Sequence, residues 1–414
     1  MSHNATADSD SDMAIDGLER DIIDLDEDSE DSDQDMKNTV DTAQFVDWWR
    51  SIWHTTPDSR KTTVQGENRS FSYAVTSMQG WRMNMEDTHA IKLHLGDQDG
   101  ANAYFAVFDG HGGDAIAGLA SEFLHQNLVK EGAYAQKAYP EALKNAFLGF
   151  DAKFRPLHTD ETDGSTATVA LITNEGKIYV ANTGDSRAVL SHQGKAKPLS
   201  LDHKTSIVAE QARVLAAGGR IEDDRVNGDL AMTRSLGDYR LKQNMALPPE
   251  QQMVTALPEV VEHEVTKEDE FLILACDGVW DCLKSQQVID LVRLFVSQGK
   301  KLSKVCEDIC QHCLAPNPLM GHGDDNMTLM VVALLHGRTP QQWYEWVTKR
   351  TVSRHGYDTP KELPEIYPSE EVEDWGPAWD DLRSQMAESK EKFIQQEEDA
   401  LDLNRNDIKA RLKV

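Results

Sequence analysis

The chain has 414 residues, 39% of them hydrophobic, and a formal net charge of -29. It is long for one domain and apolar enough for a sizeable core, yet no run approaches the roughly 18 consecutive apolar residues of a membrane span. The acidic excess argues against nucleic acid or an anionic membrane as partner, since both carry the same sign, and favours basic partners.

The opening Met1-Ser-His-Asn-Ala-Thr6 has neither the basic start nor the apolar run of a secretory signal. Ser2 stands where N-myristoylation needs Gly, so a soluble intracellular protein is expected. Cytoplasm and nucleus stay equally open, because no basic import cluster stands out. Residues 1–40 hold 14 Asp/Glu against 2 Lys/Arg, with few aromatics. Such a segment cannot bury enough apolar surface to order itself, so residues 1–44 are expected to be a disordered acidic arm. Ser9, Ser11, Ser29 and Ser32 sit among those acids, and a solvated tail is preferred to a kinase target. Phe45, Trp48, Trp49, Ile52 and Trp53 fall at helical spacing behind the caps Asp41 and Thr42. Residues 45–66 are therefore expected as an aromatic helix and linker, packing on the main domain in preference to docking a partner.

From 71 to 335 the pattern is dense. Segments 166–172, 177–182 and 187–190 read as consecutive strands, with gaps short enough for hairpins and an antiparallel meander. Further strands are expected at 103–108, 260–265, 271–275 and 328–335. Helices are expected at 115–129, 138–154, 207–217, 286–296 and 302–313. In the last of these, Cys306, Cys310 and Cys313 spell C-x3-C-x2-C, a spacing some iron–sulfur enzymes use. They share one face with Leu302, Val305 and Ile309, so core thiols are preferred. Strand meanders with paired helices point to an α+β layered domain. After Arg338 the character changes, and residues 338–414 are expected as a partly helical C-terminal extension.

Two strings carry the chemistry: Tyr104-Phe-Ala-Val-Phe-Asp-Gly-His-Gly-Gly113 and Phe271-Leu-Ile-Leu-Ala-Cys-Asp-Gly-Val-Trp-Asp281. Each is a buried-strand pattern that stops on Asp-Gly, delivering a carboxylate where core gives way to cleft. Two carboxylates aimed at one place repel unless a cation lies between them, and hard divalent ions prefer such oxygen ligands. Further acidic spots stand beside Gly or strand ends at Glu86-Asp87, Asp185 and Asp324-Asp325. Turn residues alone do not explain that many.

These strings fall in a recognisable order: Ser77-Met-Gln-Gly-Trp-Arg82, Met85-Glu-Asp87, Phe108-Asp-Gly-His-Gly112, Gly164-Ser-Thr-Ala167 and Ala181-Asn-Thr-Gly-Asp-Ser-Arg-Ala188. Leu201-Asp-His-Lys204, Leu236-Gly-Asp238, Ala275-Cys-Asp-Gly-Val-Trp-Asp281 and Gly321-His-Gly-Asp-Asp-Asn-Met-Thr328 complete the series. The chain resembles the metal-dependent serine/threonine protein phosphatases of type 2C over roughly residues 68–337, with the catalytic domain placed at 67–337. The resemblance implies two antiparallel β-sheets packed as a sandwich and flanked by α-helices, with the site at one end. It implies hydrolysis of phosphoserine and phosphothreonine by metal-activated water, two Mg2+ or Mn2+ ions, no phosphoenzyme, and phosphorylated proteins as substrates.

Residue by residue, the resemblance makes Asp109 the bridge between two metals. Asp277 and Asp325 complete one metal, Glu86 and the Gly110 carbonyl serve the other, and Asp87 acts through bound water. Arg82 matches the phosphate-binding arginine and His111 the general acid. Asp185 and Asp281 match a third metal site present in some members, whereas Asp238 is read as structural or flap-related. The chain departs from the pattern at Thr205, where the family usually has Pro, and at Met232-Thr-Arg234, where it usually has Ser-Arg. A monomer is expected. The competing reading is a pseudophosphatase scaffold acting through its tails, which ought to have lost a metal carboxylate or the arginine.

Overall fold

The computed structural model describes residues 53–96, 102–157 and 162–369, together with 380, 383 and 384. In chain order the main strands are β1 (Trp53–Glu67), β2 (Phe71–Arg82), β3 (Thr88–Leu95), β4 (Asn102–Phe108), β5 (Ala167–Ile172) and β6 (Lys177–Thr183). They continue as β7 (Arg187–His192), β8 (Lys195–Pro198), β9 (Glu259–Glu264), β10 (Asp269–Ala275) and β11 (Met327–Leu334). The main helices are α1 (Ala115–Lys130), α2 (Tyr139–Phe154), α3 (Val208–Ala216), α4 (Ser285–Ser297), α5 (Leu302–Cys313) and α6 (Pro340–Val352).

One sheet has the order β1-β2-β11-β10-β7-β8 and the other β9-β6-β5-β4-β3, with antiparallel pairing throughout. Every residue of β4 and of β10 is buried, because both of their faces are covered. Along β10, Leu272 and Leu274 point between the sheets while Phe271, Ile273 and Ala275 point towards the α4–α5–α6 layer. Along β4, Phe105 and Val107 face the first sheet, and Tyr104, Ala106 and Phe108 face α1 and α2. The period-two alternation thus feeds three hydrophobic layers, and the architecture is the expected helix-flanked double sheet.

The expected helices appear within two residues of their bounds, and α5 buries the face predicted for it, with Cys306, Cys310 and Cys313 as free core thiols. Three expectations are corrected. First, half of the 45–66 segment is not helix or linker: β1 covers Trp53–Glu67 and pairs with β2 from Trp53↔Arg82 to Glu67↔Ser72. The β-branched run Thr62-Thr-Val64 and a long partner strand outweigh the helical spacing of the aromatics. Phe45 to Ile52 and the arm before them lie outside the described residues. Second, Gly184-Asp-Ser186 is not a hairpin: β6 belongs to one sheet and β7 to the other, so this stretch is a corner between layers. Third, the domain does not end at 337. Helix α6 starts on a capping box, Thr339 Oγ1 accepting from the Gln342 amide while the Thr339 amide donates to Gln342 Oε1. It inserts Trp343, fully buried, edge-on against Phe271.

Candidate active site

Strand register brings the functional ends together. The end of β4 (Phe108) pairs with the start of β3 (Thr88), and the end of β10 (Ala275) pairs with the starts of β11 (Leu329) and β7 (Arg187). Strand β2 ends on Arg82, beside the start of β11. The loops leaving these ends enclose a cleft of about 310 Å³. Arg82, Glu86, Asp109, Gly110, His111, Asp277 and Asp325 all line it.

Asp87 stands behind the cleft wall, buried, with an oxygen within 4.8 Å of both an Asp109 oxygen and Cys276 Sγ. Neither Asp87 oxygen has a hydrogen-bond partner among the described residues. Burial, with Asp325 adding to it, pushes its pKa up to about 6. Asp109 is driven well above the usual carboxylate range by burial and then by Asp277, Asp87, Asp325 and Asp185. Asp277 rises for the same reasons, burial first and Asp185 and Asp325 next. Carboxyls arranged so that each opposes the ionisation of the others are a site for a cation. The donor set is hard oxygen, suited to a divalent ion. Cys276 is not part of it: burial holds the thiol protonated, and its sulfur accepts from the Thr328 amide at 3.0 Å.

Arg82 Nη2 donates to Asp325 Oδ2 at 2.5 Å, and its guanidinium lies 5.8 Å from the centroid of the Trp53 ring. With its side chain 40% exposed, it faces the cleft with donors to spare. His111 Nε2 lies 2.8 Å from Asp238 Oδ2, and Asp238 is completely buried. Burial opposes the imidazolium, but Asp238 outweighs it and raises the His111 pKa. Asp238 in turn accepts from Ser235 Oγ at 2.6 Å. A Cβ at Gly164 would overlap both Asp238 Oδ2 and His111 Nε2, so only glycine lets the pair form there.

Three contributors went unread in the sequence. Asp238 was assigned to structure or flap because its partner lies 127 positions away. Asn326 had served only to fix the register of Asp325. Its Oδ1 accepts from the Glu86 amide while its Nδ2 donates to Gln79 and Asn84 carbonyls, tying both acidic loops together. Lys204 pairs with the buried Asp185 and also favours the charged form of Asp281. The two residues matched to a third metal therefore share a fixed cation and do not line the cleft itself.

Comparison with known proteins agrees with this geometry. Residues 71–318 match the family described as protein phosphatase 2C. Protein phosphatase 2C homolog 2 of Hypocrea jecorina is 43% identical over 320 residues, spanning 75% of this chain and 73% of that one. Its namesake in Schizosaccharomyces pombe is 44% identical over 313 residues, spanning 74% and 84%. A phosphatase from Toxoplasma gondii of known structure superposes with a TM-score of 0.58 at 26% identity, over 66% of this chain and 95% of that one. The sandwich, its acidic cleft and these relatives define one class, and the chain belongs to the protein phosphatase 2C family. It is a protein serine/threonine phosphatase.

Proposed function

We propose that the chain hydrolyses phosphoserine and phosphothreonine in proteins at a two-metal centre, by direct attack of water and without a phosphoenzyme. The observation that carries this reading is the convergence of Glu86, Asp109, Asp277 and Asp325 with Arg82 and His111 on one cleft. Asp109 is the residue to bridge two ions, with Asp277 and Asp325 on one and Glu86 and the Gly110 carbonyl on the other. Asp87, behind them, orients bound water. Two Mg2+ or Mn2+ ions would there neutralise the phosphate dianion and acidify the attacking water.

The remaining work falls to side chains. Arg82 has free guanidinium N–H groups beyond the one spent on Asp325, and grips two phosphate oxygens. His111, favoured in its protonated form by Asp238, protonates the departing serine or threonine alkoxide. Asp238 fixes the ring and stabilises its charge. With arginine, histidine and all four carboxylates in the cleft, nothing favours a scaffold without activity.

The test is phosphate release from a phosphothreonine peptide by the purified full-length chain with Mn2+, with Mg2+ and with EDTA. Metal-dependent release abolished by chelator is the expected result. Equal release with EDTA, or none with either ion, overturns the two-metal reading.

A further inference from the structure

The segment after α6 returns along the α4–α5 layer to the active-site loop 321–325. Its course is pinned at intervals. The Tyr357 amide donates to the Gln193 carbonyl at 2.8 Å. The fully buried Arg293 donates through Nη1 to the Tyr357 carbonyl and to Thr359 Oγ1, at 2.8 and 2.9 Å. His312 Nε2 meets the Pro364 carbonyl at 2.8 Å. The strap then delivers Tyr367 beneath the loop.

Tyr367 touches that loop in three ways. Its ring stacks on the His322 imidazole, with centroids 5.0 Å apart and planes 15° from parallel. Its Oη donates to the Cys313 carbonyl at 2.5 Å and lies 3.4 Å from the His322 carbonyl. Gly323 adopts φ +74° directly over it, where a Cβ would overlap Tyr367 Oη and the Cys313 carbonyl. The Gly323 carbonyl accepts from the Ala315 amide at 2.9 Å, so the loop is closed down onto the phenol. Burial raises the phenol pKa, which keeps the O–H a donor. Two residues after Gly323 comes Asp325, already fixed from the far side by Arg82 and by the Asn326 amide at 2.7 Å. Tyr367 thus supplies the support from below that the Arg82 contact supplies from the cleft.

We infer that Tyr367 is a positioning residue for the Asp325 metal ligand, so that the C-terminal strap sets metal affinity. This rests on the proposed role of Asp325 as a ligand. Tyr367 lies beyond the residues matched to the family, 71–318. Groups behind a metal ligand typically govern about 10–100-fold in affinity.

The experiment compares the full-length chain with Tyr367→Phe, which keeps the stack and loses the O–H, with Tyr367→Ala, and with Thr359→Val as a strap control away from the loop. Mn2+ binding is read by titration calorimetry, and thermal midpoints are taken in EDTA. Tyr367→Phe is expected to weaken Mn2+ binding about 10-fold while its metal-free midpoint stays near wild type, with Tyr367→Ala weaker again. Thr359→Val should bind as wild type does, and saturating Mn2+ should restore the turnover of Tyr367→Phe. Unchanged Mn2+ affinity in both Tyr367 variants overturns the inference, as does an equal loss in Thr359→Val. Wild-type protein that binds Mn2+ but releases no phosphate would instead overturn the proposed activity, leaving the affinity comparison to judge Tyr367.

Discussion

At His111 the proton matters only as much as the leaving group needs it. A serine alkoxide leaves badly without protonation, whereas an aryl oxide leaves readily. His111→Ala is therefore expected to slow phosphopeptide hydrolysis by about 100-fold or more and nitrophenyl phosphate far less. Equal losses on the two substrates would remove the general-acid role. Asp238→Asn keeps a hydrogen-bond acceptor beside Nε2 but loses the charge that favours the imidazolium, so it should show the same substrate asymmetry at smaller size. Asp109→Asn tests the carboxylate cluster with a thermodynamic sign. Burial and neighbouring acids raise the Asp109 pKa, so its charge is a burden on the metal-free fold at neutral pH. The variant should lose turnover at saturating Mn2+, yet melt in EDTA no lower than wild type. Activity at the wild-type level would refute the bridging assignment; a fall in the metal-free midpoint would show that Asp109 is stabilising in its own right. The residues of the cleft were readable because Asp-Gly ends a buried strand in each motif. The pairing of His111 with Asp238 was not, since nothing local in either segment names a partner across the fold.

Within α4 the same linkage gives a pH-dependent prediction at one element. Asp290 is buried on this helix, and burial lifts its pKa to about 6 against partial compensation from Gln286 and Arg293. Below about pH 4 the carboxyl is protonated in both folded and unfolded chains and costs nothing. Between there and about pH 6 the unfolded chain loses its proton first, so folding becomes progressively less favourable; above that the full penalty applies. Asp290→Asn, which still accepts from Gln286, should stabilise the protein by up to about 3 kcal/mol at pH 7.5 and by nothing at pH 4. Denaturant titrations at the two pH values measure this, and a gain that is equal at both would rule out the carboxyl as its source. The elements themselves were unevenly legible. Helix α5 stood out because Leu302, Val305, Cys306, Ile309, Cys310 and Cys313 mark a continuous stripe. Strands β4 and β10 stood out because both faces are buried. Strands β1 to β3 mix polar and apolar residues without clean alternation, and β1 is nowhere fully buried, so only the neighbouring strand explains it. The corner at Gly184 reads as a hairpin because alternation is the same whichever sheet a strand joins. Only packing decides between them.

For the molecule as a unit, the boundary drawn at 337 from sequence motifs is a physical claim that the structure opposes. Beyond it, Trp343 is fully buried, packs on Phe271 and donates its Nε1–H to the Glu270 carbonyl at 3.0 Å. Arg350 binds Glu268 and the buried Glu270 at 2.6 and 2.8 Å. Glu270 also faces the buried Arg293, so losing Arg350 leaves one carboxylate fewer cations in a dry setting. At the other end, β1 covers the edge of the first sheet. Without it, β2 becomes a long unpaired edge, a template for aggregation. Truncating a buried Trp alone costs about 3–5 kcal/mol, against a total stability of about 5–15 kcal/mol for a typical domain. A fragment of residues 68–337, which holds nearly every motif of the site, is therefore expected to be largely unfolded or aggregated. A fragment of residues 53–369 keeps the edge strand, the buried tryptophan and the strap, and should melt with the full-length chain. Circular dichroism melts and the soluble fraction after purification distinguish them. If 68–337 melts as cooperatively and as high as 53–369, the catalytic unit ends where its motifs end, and α6 is only an appendage.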